Sequence, residues 1–552
     1  MSINEFPDEV VVVGAGPVGC AAALLLAQRG VPVTILERHL EPHPLPRAVH
    51  LDDEVLRILH RVGVAEDFLS RSRPATGLRL LDGDHKVLAE FPRPTTVSDN
   101  GFPYANMFHQ PDLEALLLDR VERHPLITLC RGLEVEEIGS DPEPSLASQV
   151  AVSARGVNDG TLRMITGRFV LGCDGANSTV RDLLGVEMDD LKFTERWLVV
   201  DVRTAAELDP WGCIDQICDP ARPATFMRVV GDRYRWEFQL QDGESEADLV
   251  VPDVLGRLLR PWTGRNDLDG LEIVRSATYT FRARLARQFQ VGSVFLLGDA
   301  AHSTPPFIGQ GLGAGLRDAG NLAWKVADVL DGRAHPEVLS TYESERRPHS
   351  RALVQRAVRV GWAMTGGQDR AAGVRRVALA LAVRSRHVRE AIARPATPPL
   401  RRGALDRGWR QWLSRVRQRP HVGGLLPNPL VYDGAASPRR LEDVIAGRLT
   451  VLTGARPSRA LVETCRTQDL RLVCLHPQSG GDVVPTFDDH RVDVRLAEQS
   501  DALTALVRNP TLHLVVRPDG VVAAIGRGRP LTIPRAITCP TPQPARQLVV
   551  AG

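Results

Sequence analysis

Lysine is nearly absent: among 552 residues it stands only at 86, 192 and 325, and arginine supplies almost all the positive charge. The shortage reads as a genome-composition bias rather than an electrostatic device. The formal net charge is +1, which argues against a polyanion such as a nucleic acid as the partner. No apolar run approaches the roughly 20 residues that cross a bilayer, so no transmembrane segment is expected. The opening MSINEFPDEV lacks the basic and apolar regions of a secretory leader. Eight cysteines are scattered without a CxxC, which excludes a zinc ribbon and a dithiol redox centre. A cytoplasmic, reducing compartment without a bound metal is the expectation.

What the chain does contain begins at its N-terminus. A length of 552 residues exceeds what one compact core spans, so two or three domains are expected. The stretch EVVVVGAGPVGCAAALLLAQRG reads as a buried strand, a glycine turn and a helix. Gly14 permits the tight turn, Gly16 lets the backbone approach a pyrophosphate, and Gly19 allows close helix–strand packing; Pro17 opens the helix. The free N–H groups of that helix then face the phosphates. A second strand, PVTILER, ends in Glu37 and Arg38, where an acid takes ribose hydroxyls. Two more apolar strands, RFVLGCDGANSTVR and SVFLLGDAAH, end in Asp174 and in Gly298-Asp299. Three strands ending in acids at one sheet edge suit a ligand of FAD's length better than NAD. No second strand–GxGxxG–helix unit follows, so no separate NAD(P)H domain is expected.

The motifs GAGPVG (14–19), CDGANSTVR (173–181) and GDAAH…P…GQG (298–311) resemble the class A flavoprotein monooxygenases, the single-component aromatic hydroxylases. The stretches PRAVHLDDEVLRIL, RYRWEFQL, GLRDAGNLAWK and YESERRP are similar to those of the 3-(3-hydroxyphenyl)propionate hydroxylase group. The resemblance implies FAD as cofactor, NADH or NADPH as transient reductant and O2 as co-substrate. It implies hydroxylation of a phenol, a hydroxyphenylpropionate-like acid or a polyketide-type phenol, through a flavin C4a-hydroperoxide. An FAD-dependent oxidase or dehydrogenase without oxygen insertion is the alternative.

The resemblance also assigns residues. Arg47 and Gln110 would line the flavin from opposite sides, Asp174 would lie near the phosphates, and Asp299 would accept ribityl hydroxyls. Pro305, Pro306, Gly309, Gly311, Leu312 and Gly313 would wrap the isoalloxazine ring, with Pro305 also facing substrate. His302 is expected to hydrogen-bond structurally. Thr304, and the small Gly313-Ala314 pair, depart from the pattern and imply a smaller or more polar wall. His50 is the candidate for helping to deprotonate the phenol, with a surface histidine at a helix start as the alternative.

The organisation expected is α/β. A Rossmann-like FAD-binding domain is interleaved over 1–190 and 285–365. An antiparallel substrate sheet over 190–285 shows alternating polarity. An arginine-rich helix and linker would occupy 366–425, and a thioredoxin-like domain lacking CxxC would occupy 426–552, as structural support for a homodimer. Phe226, Arg228, Trp236 and Phe238 on the sheet are candidate pocket residues, with core packing as the competing reading for the aromatics.

Overall fold

The computed structural model describes residues 10–42, 46–139, 149–208, 211–212, 214–365, 397–405, 420–433, 437–454, 456–478, 490–497, 500–509, 511–527 and 533–538. Most of the arginine-rich helix and linker expected over 366–425, namely 366–396 and 406–419, lies outside the described residues.

Val10–Val13 is a strand of four β-branched residues, buried on both faces. It sits inside a six-stranded sheet ordered 290–291, 294–296, 169–172, 10–13, 33–37, 127–131. Every pair from 294–296 to 127–131 is parallel, so their C-terminal ends share one edge. The helix Pro17–Ala27 packs against the long helix Gly311–Leu330. Their approach is close because Gly315 lacks a side chain: a Cβ there would stand 2.7 Å from Val18 Cγ2 and 2.9 Å from Gly298 Cα.

An eight-stranded sheet, ordered 302–303, 272–286, 188–203, 233–239, 224–228, 214–217, 77–81, 87–92, covers that edge. It is antiparallel except where 77–81 runs parallel to 214–217. The sheet is therefore not confined to 190–285, because Gly77–Leu81 and Val87–Pro92 extend one side of it. One face carries Leu198, Val200, Val202, Phe226, Tyr234, Trp236 and Phe238 and buries them under the amphipathic helix Pro252–Thr263 through Leu255 and Leu259. The opposite face looks toward the parallel sheet.

The C-terminal segment forms a seven-stranded sheet ordered 439–440, 430–432, 491–496, 471–476, 450–454, 512–516, 522–527. It docks on the rest through buried ion pairs. Arg57 donates from Nε to Glu442 at 2.7 Å and from Nη1 to the Leu426 carbonyl at 2.7 Å. Arg517 donates to both oxygens of Glu345, at 2.7 and 3.0 Å, and Lys325 reaches the same carboxylate at 2.9 Å. No helix among the described residues is long and apolar enough to cross a membrane.

Candidate active site

The C-terminal ends of the parallel strands open into a cavity of about 530 Å³, the crevice where open α/β sheets take ligands. Arg131, Glu37, Gly14, Asp174 and Asp299, each from the end of a different strand, line it. Gly14 has φ +103°, and a Cβ there would meet the Cys173 carbonyl at 2.6 Å, so only glycine turns at this point. Gly16 lines the cavity with nothing within 4 Å of a would-be Cβ, whereas a Cβ on Gly19 would lie 2.0 Å from the Gly14 carbonyl oxygen. Gly16 is thus open to a ligand, and Gly19 serves packing.

The acids are partly engaged. Glu37 accepts the Ala15 and His39 backbone N–H groups, each at 2.8 Å. Asp174 accepts the Val180 N–H at 3.0 Å and the Ser178 hydroxyl at 2.6 Å, while Ser178 caps the helix Thr179–Leu183 through the Arg181 N–H. Burial raises the Asp174 carboxyl against those hydrogen bonds.

Asp299 and His302 diverge. His302 is fully buried and shares a hydrogen bond of 2.8 Å with Asp318, which also accepts Arg346 at 2.7 Å and the Gly298 N–H at 3.0 Å. That cluster fixes the loop from beneath. Asp299 is exposed and lines the cavity. Burial raises its carboxyl, with His302 and Arg47 pulling it down.

The loop continues as Pro306–Ile308, turns at Gly309 with φ +61°, and enters the helix at Gly311. Pro306, Gly309, Gly311 and Leu312 line the cavity; Pro305 and Gly313 do not. Pro305 is buried beneath the loop. A Cβ on Gly313 would stand 3.0 Å from Arg317 Nη1 and 3.2 Å from Val55 Cγ2, so that glycine makes room for packing. Ala314 is likewise buried and away from the cavity. Thr304 lines the cavity, but its hydroxyl oxygen is sealed from it. Thr304 therefore adds no polar group to the cavity surface.

Arg47, Ala48, Val49 and His50 form the opposite wall. Gln110 Oε1 accepts the Arg47 and Ala48 N–H groups at 3.1 and 2.6 Å, and Arg235 donates from Nη1 to the Arg47 carbonyl at 2.9 Å. Gln110 lines the cavity while also holding this backbone, and its amide goes to Glu114 at 2.6 Å. Arg38 and Pro17 complete the rim. His50 is not a surface residue: it is 9% exposed, and Gly309 packs on its ring. Both ring nitrogens are shielded from the cavity, with Nδ1 against the Gly309 turn. Burial and Arg93 hold its pKa down to about 4, so the ring is neutral near pH 7.

The roof corrects the sequence reading. Phe226, Trp236 and Phe238 do not line the cavity; they lie on the other face of the sheet, where the tilted rings of Phe226 and Trp236 meet at 4.9 Å beside Trp262. Arg228 is turned away as well and pairs with Glu207 at 2.9 Å near the surface. Side chains alternate along a strand, so the cavity receives their neighbours Thr225, Met227, Arg235 and Glu237, with Ile214, Gln216, Val199, Arg275, Tyr279 and Phe281 from adjacent strands. The aromatics went to the face with a helix to bury. A signal was present: in RYRWEFQ, charged residues alternate with aromatics on a strand buried along nearly its whole length. Buried charges at period two mark a polar cavity.

The open glycine backbone at 16, 175 and 311, the row of acids on the strand ends and the free Asp299 carboxylate fit an extended, phosphate-bearing cofactor with a flat ring. Residues 8–357 match the family profile described as "FAD binding domain". A probable NADH-specific resorcinol 4-hydroxylase of Rhodococcus jostii (strain RHA1) is 33% identical over 528 residues, covering 94% of this chain and 92% of that protein. A 3-(3-hydroxy-phenyl)propionate/3-hydroxycinnamic acid hydroxylase of Burkholderia cenocepacia (strain HI2424) is 38% identical over 354 residues, 64% of this chain and 63% of that enzyme, just under two thirds of its length. Among solved structures, the flavin-dependent monooxygenase PieE in complex with FAD and substrate superposes with a TM-score of 0.78 at 22% identity, covering 97% of this chain and 98% of that one. Aklavinone-11 hydroxylase with FAD and aklavinone gives 0.76 at 22% identity, covering 95% and 96%.

Proposed function

The chain belongs to the FAD-binding-domain family of flavin-dependent aromatic hydroxylases, and on that premise we propose that it hydroxylates a phenolic ring with FAD, NADH or NADPH, and O2. The observation that carries this reading is that one continuous cavity holds both the strand-end edge at Gly14, Glu37 and Asp299 and the sheet roof at Thr225, Met227 and Glu237. A cofactor along the edge and a ring under the roof would meet there.

When bound, FAD supplies the redox chemistry, taking electrons from NAD(P)H and activating O2 so that one oxygen atom goes to substrate and the other to water. The chain's own residues bind and orient. Glu37 and Arg38 would meet the adenosine ribose. Gly14, Gly16 and Pro17 would admit the pyrophosphate at a helix N-terminus, with Asp174 shaping the same corner. Asp299 would accept ribityl hydroxyls, and Arg47 with the backbone fixed by Gln110 would close the far side. Pro306 to Leu312 would contact the flat ring, and the N-terminus of Gly311–Leu330 would stabilise negative charge there. Phe281, Phe307, Val199 and Met227 make the substrate side apolar, which excludes water. His50 is a neutral wall residue supporting the Gly309 turn.

The C-terminal unit we read as thioredoxin-like and structural. In support, Thr450–Gly454 lies between the parallel Arg471–His476 and the antiparallel Leu512–Val516, which pairs in turn with Val522–Arg527. Homodimer support remains part of this proposal.

The test is direct. Purified protein should carry FAD that denaturation releases, and phenols should accelerate NAD(P)H oxidation. The product should gain one oxygen atom, labelled when O2 is labelled and unlabelled when only water is. Stimulated turnover with no labelled product would make the protein an oxidase or dehydrogenase instead.

A further inference from the structure

Across the cavity face of the eight-stranded sheet, Gln216 stands opposite Thr225, Thr225 opposite Glu237, and Glu237 opposite Val199. The Thr225 hydroxyl donates to Gln216 Oε1 at 2.9 Å, and the Gln216 amide donates to the Ala224 carbonyl at 3.0 Å. Both donors are thereby used within the row. Glu237 ends the polar stretch with its carboxylate making no hydrogen bond among the described residues; its nearest cation there, Arg235 Nη1, stands 3.9 Å away. The residue is 9% exposed and lines the cavity. A buried carboxylate without a donor costs several kcal/mol unless a ligand supplies one.

The donors of the cations nearby are largely committed or sealed from the cavity. Arg235 gives Nε and Nη2 to Asp201 at 2.7 and 3.1 Å, Nη1 to the Arg47 carbonyl and Nη2 to the Pro46 carbonyl, which leaves a single Nη1 N–H. Arg275 gives Nη1 to the Tyr279 hydroxyl at 2.7 Å and pairs through Nη2 with Asp201, and its Nε and Nη2 are sealed from the cavity. Arg93, beside His50, has its own partners and its Nη1 is sealed as well. The roof therefore offers an approaching ring an open acceptor and no open guanidinium fork for a carboxylate.

We propose that Glu237 accepts a hydrogen bond from a ring hydroxyl of the substrate, and that the site selects uncharged hydroxyarenes over aromatic carboxylic acids. This deepens the hydroxylase reading and rests on it. A carboxylate side chain under this roof would stand beside Glu237 with no open guanidinium fork in the roof to receive it. A resorcinol-type ring gives its hydroxyl to Glu237 and keeps its reacting carbons toward the cofactor edge.

The experiment measures dissociation constants by calorimetry on the FAD-loaded protein, with resorcinol and 3-(3-hydroxyphenyl)propionate as probes. The wild type should bind resorcinol at least about tenfold more tightly than the acid. Glu237→Met should weaken resorcinol roughly ten- to a hundredfold, the worth of a hydrogen bond to a charged group, while leaving the acid unchanged or tighter. Glu237→Gln, which keeps an acceptor without the charge, should fall between, and all three proteins should hold equal flavin. The inference is overturned if the acid binds as well as resorcinol, if neither probe binds, or if Glu237→Met weakens both equally. Labelled-O2 incorporation in the same samples separates the two readings. Glu237-dependent binding without oxygenation sinks the hydroxylase and keeps this selectivity; oxygenation of the acid without Glu237 dependence does the reverse.

Discussion

His50 shows what burial does to one side chain. In the unfolded chain its imidazole takes a proton near the ordinary 6.5, but in the folded wall it waits until about 4. As pH falls through that window the unfolded state binds the proton first, so this contribution to stability is complete above about 6.5 and is lost toward 4. At about pH 5 the loss is about 2 kcal/mol. His50→Asn should therefore lose less of its urea midpoint than the wild type between about pH 7 and about pH 5. Parallel declines would mean that the ring is not held neutral. The same environment explains what was hard to read from sequence. A histidine near a helix start looks exposed, and only the Gly309 turn, 259 positions downstream in the numbering of Gly309 and His50, covers it. Asp299 and His302 were separable because an acid ending a strand meets the cavity, whereas a histidine three residues on has turned under the loop toward Asp318.

At the scale of elements, the glycine turn was legible because it depends on local sterics. Its three glycines nevertheless make distinct predictions. Gly19→Ala sets a Cβ against a backbone oxygen, which cannot rotate away, so the helix must shift. A loss of about 1–3 kcal/mol, as for other overpacked positions, is expected together with a loss of bound flavin. Gly16→Ala meets nothing within 4 Å, so the apoprotein should melt as the wild type does while FAD affinity falls. Thermal melts of apoprotein beside flavin titrations check both, and equal melting of the two variants would remove the distinction. The strands of the roof were legible as strands, and their orientation was not. Both faces of Arg233–Gln239 are buried, one under Pro252–Thr263 and one against the cavity, so polarity alone names two faces without saying which is which. The partner that decides it, a helix carrying Leu255, Leu259 and Trp262, is remote from the strand in local pattern.

For the whole molecule, the C-terminal sheet is tied to the flavin half by charges buried at the contact. Arg517, Lys325 and Glu345 are fully buried together; Arg517 and Lys325 hold Glu345 down to about 2, while burial lowers Lys325 to about 8. Arg517→Met leaves Asp519 without its arginine and Glu345 with Lys325 as its one cation among the described residues, beside the Asn321 amide and the Ala404 N–H. A loss of about 3–5 kcal/mol is expected, as for other broken buried pairs, and limited proteolysis should cut between the two halves. A variant as resistant and as stable as the wild type would show that apolar packing, not this cluster, joins them. This long-range pairing has no local signature, since Glu345 and Arg517 are 172 positions apart. A related consequence concerns the order in which the ribosome delivers the chain. The cavity is bounded by Gly14 at one end of its wall and Leu312 at the other, so roughly 300 residues must emerge, over roughly 15 to 60 s at ordinary translation speed, before the wall is complete. Until Phe169–Gly172 arrives, Val10–Val13 has an uncovered edge. Completion of the cavity wall thus waits on Leu312, and Val10–Val13 is open to mispairing until its partner strand arrives.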